Sequence, residues 1–205
     1  MIPADEALAR LKDGNRRFVG NIRDAAAPID HDRRAELAAG QAPLAIILGC
    51  SDSRVPAEIV FDQGLGDLFV IRVAGNIVAP SQVGSVEFAA ERYDTRLVVV
   101  LGHTQCGAIH ATVEALQSTP GGISKNLRSI VDRILPAAEG IVKGGPGKDQ
   151  QTLIREAGRA NIRASADHLR HGSEVLEQLI AENGLSVLGA EYSLETGVVE
   201  FFDGV

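Results

Sequence analysis

Three short runs constrain what this chain can fold into: Leu44-Ala-Ile-Ile-Leu-Gly49, Leu68-Phe-Val-Ile-Arg-Val73 and Leu97-Val-Val-Val-Leu101. Each is apolar at nearly every position, partly β-branched, and too short for a buried helix. A strand that is apolar on both faces must be covered on both faces. Helical spacing follows each run, over residues 55–61, 83–93 and 108–116. Strands alternating with helices in this way build a mostly parallel sheet flanked by helices, so the expected class is α/β.

Other segments complete that plan. Ala7, Leu8, Leu11 and Phe18 recur at roughly helical spacing, with Asp5 and Glu6 early and Arg16 and Arg17 late, which suits the helix dipole and predicts an amphipathic helix over 4–19. A polar stretch to about Asp30 and a short helix over 33–39 follow, making residues 1–40 an N-terminal helical arm. Helical patterning returns over 124–142 and 150–183 on either side of the loop Gly144-Gly-Pro-Gly147. Two strands over 186–194 and 198–202, joined around Glu195-Thr-Gly197, close the chain, with the glycine placed to take a positive φ. At 205 residues and 45% hydrophobic content, one domain spanning 1–205 is the default.

Charge and cysteine count narrow the function. The net charge of −7, from 27 acids against 20 bases, gives no basic field for a nucleic acid. No apolar stretch approaches the roughly 20 residues that span a bilayer, and the first residues lack a secretory apolar core. The expectation is a cytoplasmic protein with neither a nucleic-acid nor a membrane partner. Two cysteines are too few for a disulfide scaffold, so each is a buried thiol, a ligand or a redox group.

Cys50 directly follows the first apolar run, and His103 stands two residues beyond Leu101. In a parallel sheet both positions fall outside the carboxyl ends of the strands, where such folds build their sites. His103-Thr-Gln-Cys106 adds a second thiol just before a helix, whose N-terminus favours the thiolate. Two thiolates and one imidazole suit a tetrahedral zinc with its fourth position open, the arrangement of a catalytic metal. Cys50-Ser-Asp-Ser-Arg54 places a carboxylate and a guanidinium beside the first thiol. Asp52 can orient a zinc-held water if Arg54 fixes the carboxylate by charge-assisted hydrogen bonds. The plainer alternative is two buried cysteines, a hydrogen-bonded histidine and a surface ion pair.

CSDSR followed by HTQCGA resembles the paired signature of the β-class carbonic anhydrases. The likeness continues through Phe61-Asp-Gln-Gly-Leu-Gly-Asp-Leu-Phe69, Arg72-Val-Ala-Gly-Asn76 and Gly189-Ala-Glu-Tyr-Ser-Leu-Glu-Thr-Gly197. The resemblance implies one Zn²⁺ per chain on Cys50, His103 and Cys106, with Asp52 and Arg54 as the catalytic dyad. It implies hydration of carbon dioxide to bicarbonate and a proton by zinc-bound hydroxide. Gln41 matches a glutamine that contacts substrate, and Phe69, Ala74 and Phe88 are candidates for the apolar substrate pocket. Phe88 stands where plant-type members carry a tyrosine from the neighbouring subunit. Homodimers or homotetramers are implied, with the N-terminal helix on the partner, although packing on its own chain is equally compatible with the periodicity. The family resemblance also extends to a bicarbonate switch built on a tryptophan, an arginine and a tyrosine. Here Arg72 and Tyr192 match but Ile47 replaces the tryptophan, so Asp52 is expected to stay paired with Arg54. A hydrolase of carbon disulfide or carbonyl sulfide, a zinc-stapled interaction protein and a Cys50–Cys106 redox pair are the competing readings.

Overall fold

The computed structural model describes residues 2–22, 31–117, 123–145 and 147–204; the linker expected up to Asp30 falls, from residue 23 on, outside them. The elements in order are α1 (Ala4–Val19), α2 (His31–Leu37), β1 (Ala45–Gly49), α3 (Ala57–Val60), β2 (Leu68–Arg72), a one-turn 3₁₀ segment (Ala74–Asn76), α4 (Pro80–Arg92), β3 (Leu97–His103), α5 (Gly107–Gln117), α6 (Lys125–Lys143), α7 (Gln150–His171), α8 (Glu174–Asn183), β4 (Ser186–Tyr192) and β5 (Val199–Asp203).

The five strands form one sheet in the order β2-β1-β3-β4-β5. Every pairing is parallel except β4 with β5, which is antiparallel and shifts register between Gly189 and Ala190. This is the mostly parallel, helix-flanked sheet that the apolar runs predict. Alternation along the strands divides the core: Ile47 and Val99 face α1, α3 and Phe61, whereas Ile46, Leu48, Val98 and Val100 face residues of α4, α7 and α8. A third cluster, Cys50, Cys106, Ile109, Val113, Ile134 and Ala157 among others, packs α5, α6 and α7 over the carboxyl end of the sheet.

Two boundaries differ from expectation, each for a local reason. The helix expected over 55–61 shrinks to α3, because Pro56 disfavours helical backbone at Val55 and can only begin a helix. The helix expected over 150–183 is broken between α7 and α8, where Ser173 takes extended backbone (φ −149°, ψ 119°) and its side chain accepts the Leu176 N–H at 3.2 Å. Ser173 is thus an N-cap, a signal hidden by apolar periodicity that continues across it. The closing turn follows expectation, with Gly197 at φ 76°.

α1 packs on its own chain. Ala7 and Leu11 are fully buried in the cluster around Phe61. Asn15 donates through Nδ2 to the carbonyls of Val60 (3.1 Å) and Gly197 (2.9 Å) and accepts the Val199 N–H at 2.9 Å. The apolar face that the resemblance would lay on a partner is therefore used within the chain. Gly14 sets how closely the helix approaches, since a Cβ there would lie 1.8 Å from the Phe61 carbonyl oxygen. Replacing an exposed helical glycine by alanine normally gains about 1 kcal/mol. Gly14→Ala should instead destabilise the fold by about 2 kcal/mol or more, since backbone must shift; urea unfolding midpoints measure this, and a gain in stability would contradict the docking of α1.

Candidate metal centre

Parallel pairing places the candidate residues together. β1 lies between β2 and β3, with Gly49 opposite Arg72 on one side and Leu101 on the other. The chain leaving β1 at Cys50 therefore emerges beside the ends of both neighbours. β3 runs on to His103, two residues further than its apolar run, because its pairing with β4 continues to His103 opposite Tyr192. Gln105 then takes a positive φ of 56°, turning the chain so that Cys106 immediately precedes α5.

The outcome is a buried cluster of Cys50, His103 and Cys106 whose ligand atoms all lie within 4.8 Å of one another. The two sulfurs are 4.0 Å apart, close to the roughly 3.8 Å of two thiolates bound at about 2.3 Å in a tetrahedron. His103 is 5% exposed. Its Nδ1 lies 2.8 Å from the Thr104 carbonyl oxygen, an acceptor that requires the proton on Nδ1 and leaves a lone pair on Nε2. His103 Nε2 is buried without a hydrogen-bond partner. A bare imidazole lone pair facing two thiols is costly as a packing feature and well suited to a metal. The donor set, two soft sulfurs and one imidazole, fits zinc.

The electrostatics fit the same use. As bare thiols the pair shares one proton: the Cys50 thiol is pulled down to about 4 by the hydrogen bond it receives from Cys106, helped by the Gly75 N–H at 3.4 Å. The same contact and burial push the Cys106 thiol up. Cys106 lies at the α5 N-terminus, whose N–H groups favour a thiolate. The backbone N–H groups of Ala108 and Ile109 act in that direction, but the hydrogen bond to Cys50 and burial outweigh them.

Asp52 and Arg54 meet as a two-pronged pair, Nε to Oδ1 at 2.9 Å and Nη2 to Oδ2 at 2.7 Å, and the Arg54 backbone N–H also reaches Oδ1 at 2.9 Å. The Arg54 side chain thus holds the Asp52 carboxyl far below its ordinary range. Asp52 Oδ2 stands 3.9 Å from His103 Nε2, so the carboxylate looks onto the orphaned lone pair. Arg72, matched above to an anion pocket, spends its guanidinium on backbone: Nε donates to the Cys50 carbonyl at 2.9 Å and Nη2 to the Asp52 carbonyl at 2.6 Å. It thereby fixes the loop that carries both residues. Tyr192 is buried and packs against Phe18, and Ile47 lies in the sheet core.

The expected substrate residues divide. Ala74 directly precedes Gly75, whose N–H reaches Cys50 Sγ at 3.4 Å. Gln41 lies far from Cys50: it precedes β1 at the amino edge of the sheet, whereas Cys50 follows β1 at the carboxyl edge, and five strand residues rise about 3.3 Å each between them. Gln41 Nε2 instead donates to the Tyr93 hydroxyl at 3.0 Å. Phe69, Phe88 and Tyr93 form an aromatic group with centroids 5.7–6.2 Å apart, and Phe88 is 52% exposed. A cavity of about 460 Å³ does reach His103 and Cys106, from the side of Ile109, Ile154, Arg159 and Glu191, but Gln41, Phe69, Ala74 and Phe88 are not among its walls. Sequence reasoning missed the Gly75 N–H on Cys50 and the Thr104 carbonyl on His103. Gly75-Asn76 after a strand is a turn signal that could have revealed the first; a backbone carbonyl leaves no trace in sequence.

Comparison with known proteins agrees with this geometry. Residues 45–199 match the family model described as carbonic anhydrase. Carbonic anhydrase 2 of Mycobacterium tuberculosis is 40% identical over 194 residues, covering 93% of this chain and 89% of that protein. The carbonic anhydrase of Mycolicibacterium smegmatis is 38% identical over 200 residues, covering 95% and 91%. Among solved structures, the β-carbonic anhydrase CcaA superposes with a TM-score of 0.74 at 26% identity, covering 96% of this chain and 95% of that one. The β-carbonic anhydrase CafA of Aspergillus fumigatus shares the fold, with a TM-score of 0.77 at 24% identity and 98% and 91% coverage. From its parallel sheet to its buried Cys-His-Cys cluster, the chain belongs to the β-carbonic anhydrase family.

Proposed function

We propose that this protein is a single-domain enzyme of residues 1–205 that reversibly hydrates carbon dioxide to bicarbonate and a proton, with one zinc ion per chain held by Cys50, His103 and Cys106. The observation that carries the proposal is the buried, unpartnered His103 Nε2, within 4.8 Å of both sulfurs and 3.9 Å from an arginine-held carboxylate. Zinc in such a centre supplies Lewis acidity that makes hydroxide available near neutral pH. The names of the similar proteins support the same activity.

The protein's own residues position and gate the reaction. Asp52 Oδ2 accepts a hydrogen bond from the reacting water and so aims its lone pair at the carbon of the substrate. It can do so because Arg54 holds both carboxylate oxygens and keeps the group ionised, leaving it an acceptor only. His103 keeps its proton on Nδ1, anchored by the Thr104 carbonyl, so that Nε2 stays a ligand. The Gly75 N–H and Arg72 fix Cys50 from its sulfur and carbonyl sides.

Substrate contact by Gln41, Phe69 and Phe88 fits a homodimer or homotetramer. These residues lie away from the centre of their own chain, and half-exposed Phe88 is available to a second copy, whereas Ala74 serves its own centre. One fungal structure with this fold, from Sordaria macrospora, is described as tetrameric. No described helix is long and apolar enough to cross a membrane, and a cytoplasmic location is part of the same proposal.

Stopped-flow hydration of carbon dioxide by metal-analysed protein tests the reading. Activity proportional to zinc content is expected, and zinc-loaded protein without hydratase activity at any pH would overturn it. In the same assay Asp52→Asn should keep its metal but lose about 10²-fold or more in rate, because the amide no longer offers a carboxylate acceptor. Carboxyl titration by NMR addresses the dyad separately. In wild type the folded Asp52 value lies below the ordinary value of about 3.9, so its contribution to stability is complete above that pH and is lost as pH falls through the folded value. Arg54→Gln should bring the Asp52 titration up towards about 3.9; an unchanged titration would remove Arg54 from its role.

A further inference from the structure

We infer that Asn161 and Ser165, on α7, are positioning residues for the metal centre: they pin the Ala74–Asn76 turn so that the Gly75 N–H stays aimed at the Cys50 sulfur. The inference rests on the proposed zinc reading, and extends it to residues remote from the ligands in sequence.

The turn is strained, and within it the Asn76 N–H donates to the Val73 carbonyl at 3.0 Å. Gly75 has φ 72° and Asn76 has φ 43°, so two successive residues take left-handed backbone, and the second carries a side chain. The Asn76 side-chain amide Nδ2 is buried without a partner and adds nothing to that bond. A Cβ at position 75 would come within 2.9 Å of Ile134 Cδ1 and 3.0 Å of Ala108 Cβ, so only glycine fits. Side-chain support comes from α7. Asn161 Nδ2 donates to the Gly75 carbonyl at 2.8 Å, and Ser165 Oγ donates to the Asn76 carbonyl at 3.1 Å. These bonds hold the two peptide planes that follow Gly75, while the plane before it presents its N–H to Cys50 Sγ at 3.4 Å.

α7 has a reason to carry these two residues there and no packing reason to do so. Asn161 and Ser165 are four apart, hence on one face, and are 2% and 5% exposed. Their neighbours on the buried side of the helix are Ala157, Ile162, Ala166 and Leu169. Polar side chains in such a face are unfavourable unless fully hydrogen-bonded, and an apolar pair would pack there more readily. What they secure is a donor on a ligand sulfur. An N–H on a thiolate orients it and withdraws electron density from it, and partners of this kind commonly alter metal affinity 10–100-fold.

Asn161→Leu, nearly isosteric and without the donor, tests this on the holoenzyme. Zinc affinity, measured by competition with a chromophoric chelator, should fall about 10–100-fold. In cobalt-substituted protein the sulfur-to-metal charge-transfer band should move to longer wavelength as the thiolate becomes more electron-rich. Ser165→Ala, which deletes one hydroxyl, should shift both in the same direction and carries the test if Asn161→Leu does not fold. Leu169→Ala, fully buried on the same helix, is the control: it should lower the melting temperature and leave affinity and spectrum as in wild type. Folded Asn161→Leu or Ser165→Ala protein with wild-type affinity and spectrum would overturn the inference, as would equal changes in Leu169→Ala. A wild-type protein that binds neither zinc nor cobalt through sulfur would overturn the zinc reading itself, a result distinct from either.

Discussion

β1 is hydrogen-bonded between β2 and β3 and runs parallel to both, and the other features of the molecule follow from that pairing. Because the three strands share a direction, Cys50, Arg72 and His103 leave the sheet at one edge. Because β1 is fully covered on both faces, its five residues are all buried and the edge cannot drift. The α5–α6–α7 layer then closes over that edge, so the thiols and the imidazole are desolvated while the Arg54 guanidinium remains at the surface. A rigid sheet thus brings together donors that are 53 positions apart in the chain, Cys50 and His103.

The centre is layered in the same bottom-up sense. Backbone carbonyls and N–H groups set the outermost constraint: Thr104 fixes the imidazole tautomer, Gly75 faces one sulfur, and the Cys50 and Asp52 carbonyls receive Arg72. Side chains placed by these contacts make the inner set, and the charge on Asp52 is preserved by Arg54 rather than by burial. Preorganisation of this type spares the reaction the reorganisation that water would otherwise undergo. Both α7 and β3 contribute to it, which is why the polar pair Asn161 and Ser165 stands in an otherwise apolar helix face.

Much of this was legible in sequence where the signal is periodic or chemical. The apolar runs predict β1, β2 and β3, and the residues CSDSR and HTQC point to the cluster, because parallel strands put Cys50 and His103 beyond strand ends on one side of the sheet. The illegible parts depend on tertiary contacts. Whether α1 docks on its own chain hinges on the 1.8 Å clearance at Gly14 and on the three bonds of Asn15, and periodicity reports only that an apolar face exists. The break at Ser173 was masked because apolar spacing runs through it. Gln41, read from resemblance as a substrate contact, is separated from Cys50 of its own chain by the length of β1, a separation that only the strand direction makes plain.

The central claim is that Cys50, His103 and Cys106 converge on one zinc ion. Zinc K-edge X-ray absorption of the purified protein tests it most directly, since scattering distances report ligand type. The account predicts two sulfurs at about 2.3 Å and two lighter nitrogen or oxygen neighbours at about 2.0–2.1 Å, with a single histidine signature. A zinc shell without sulfur, or one with a single sulfur, would contradict it.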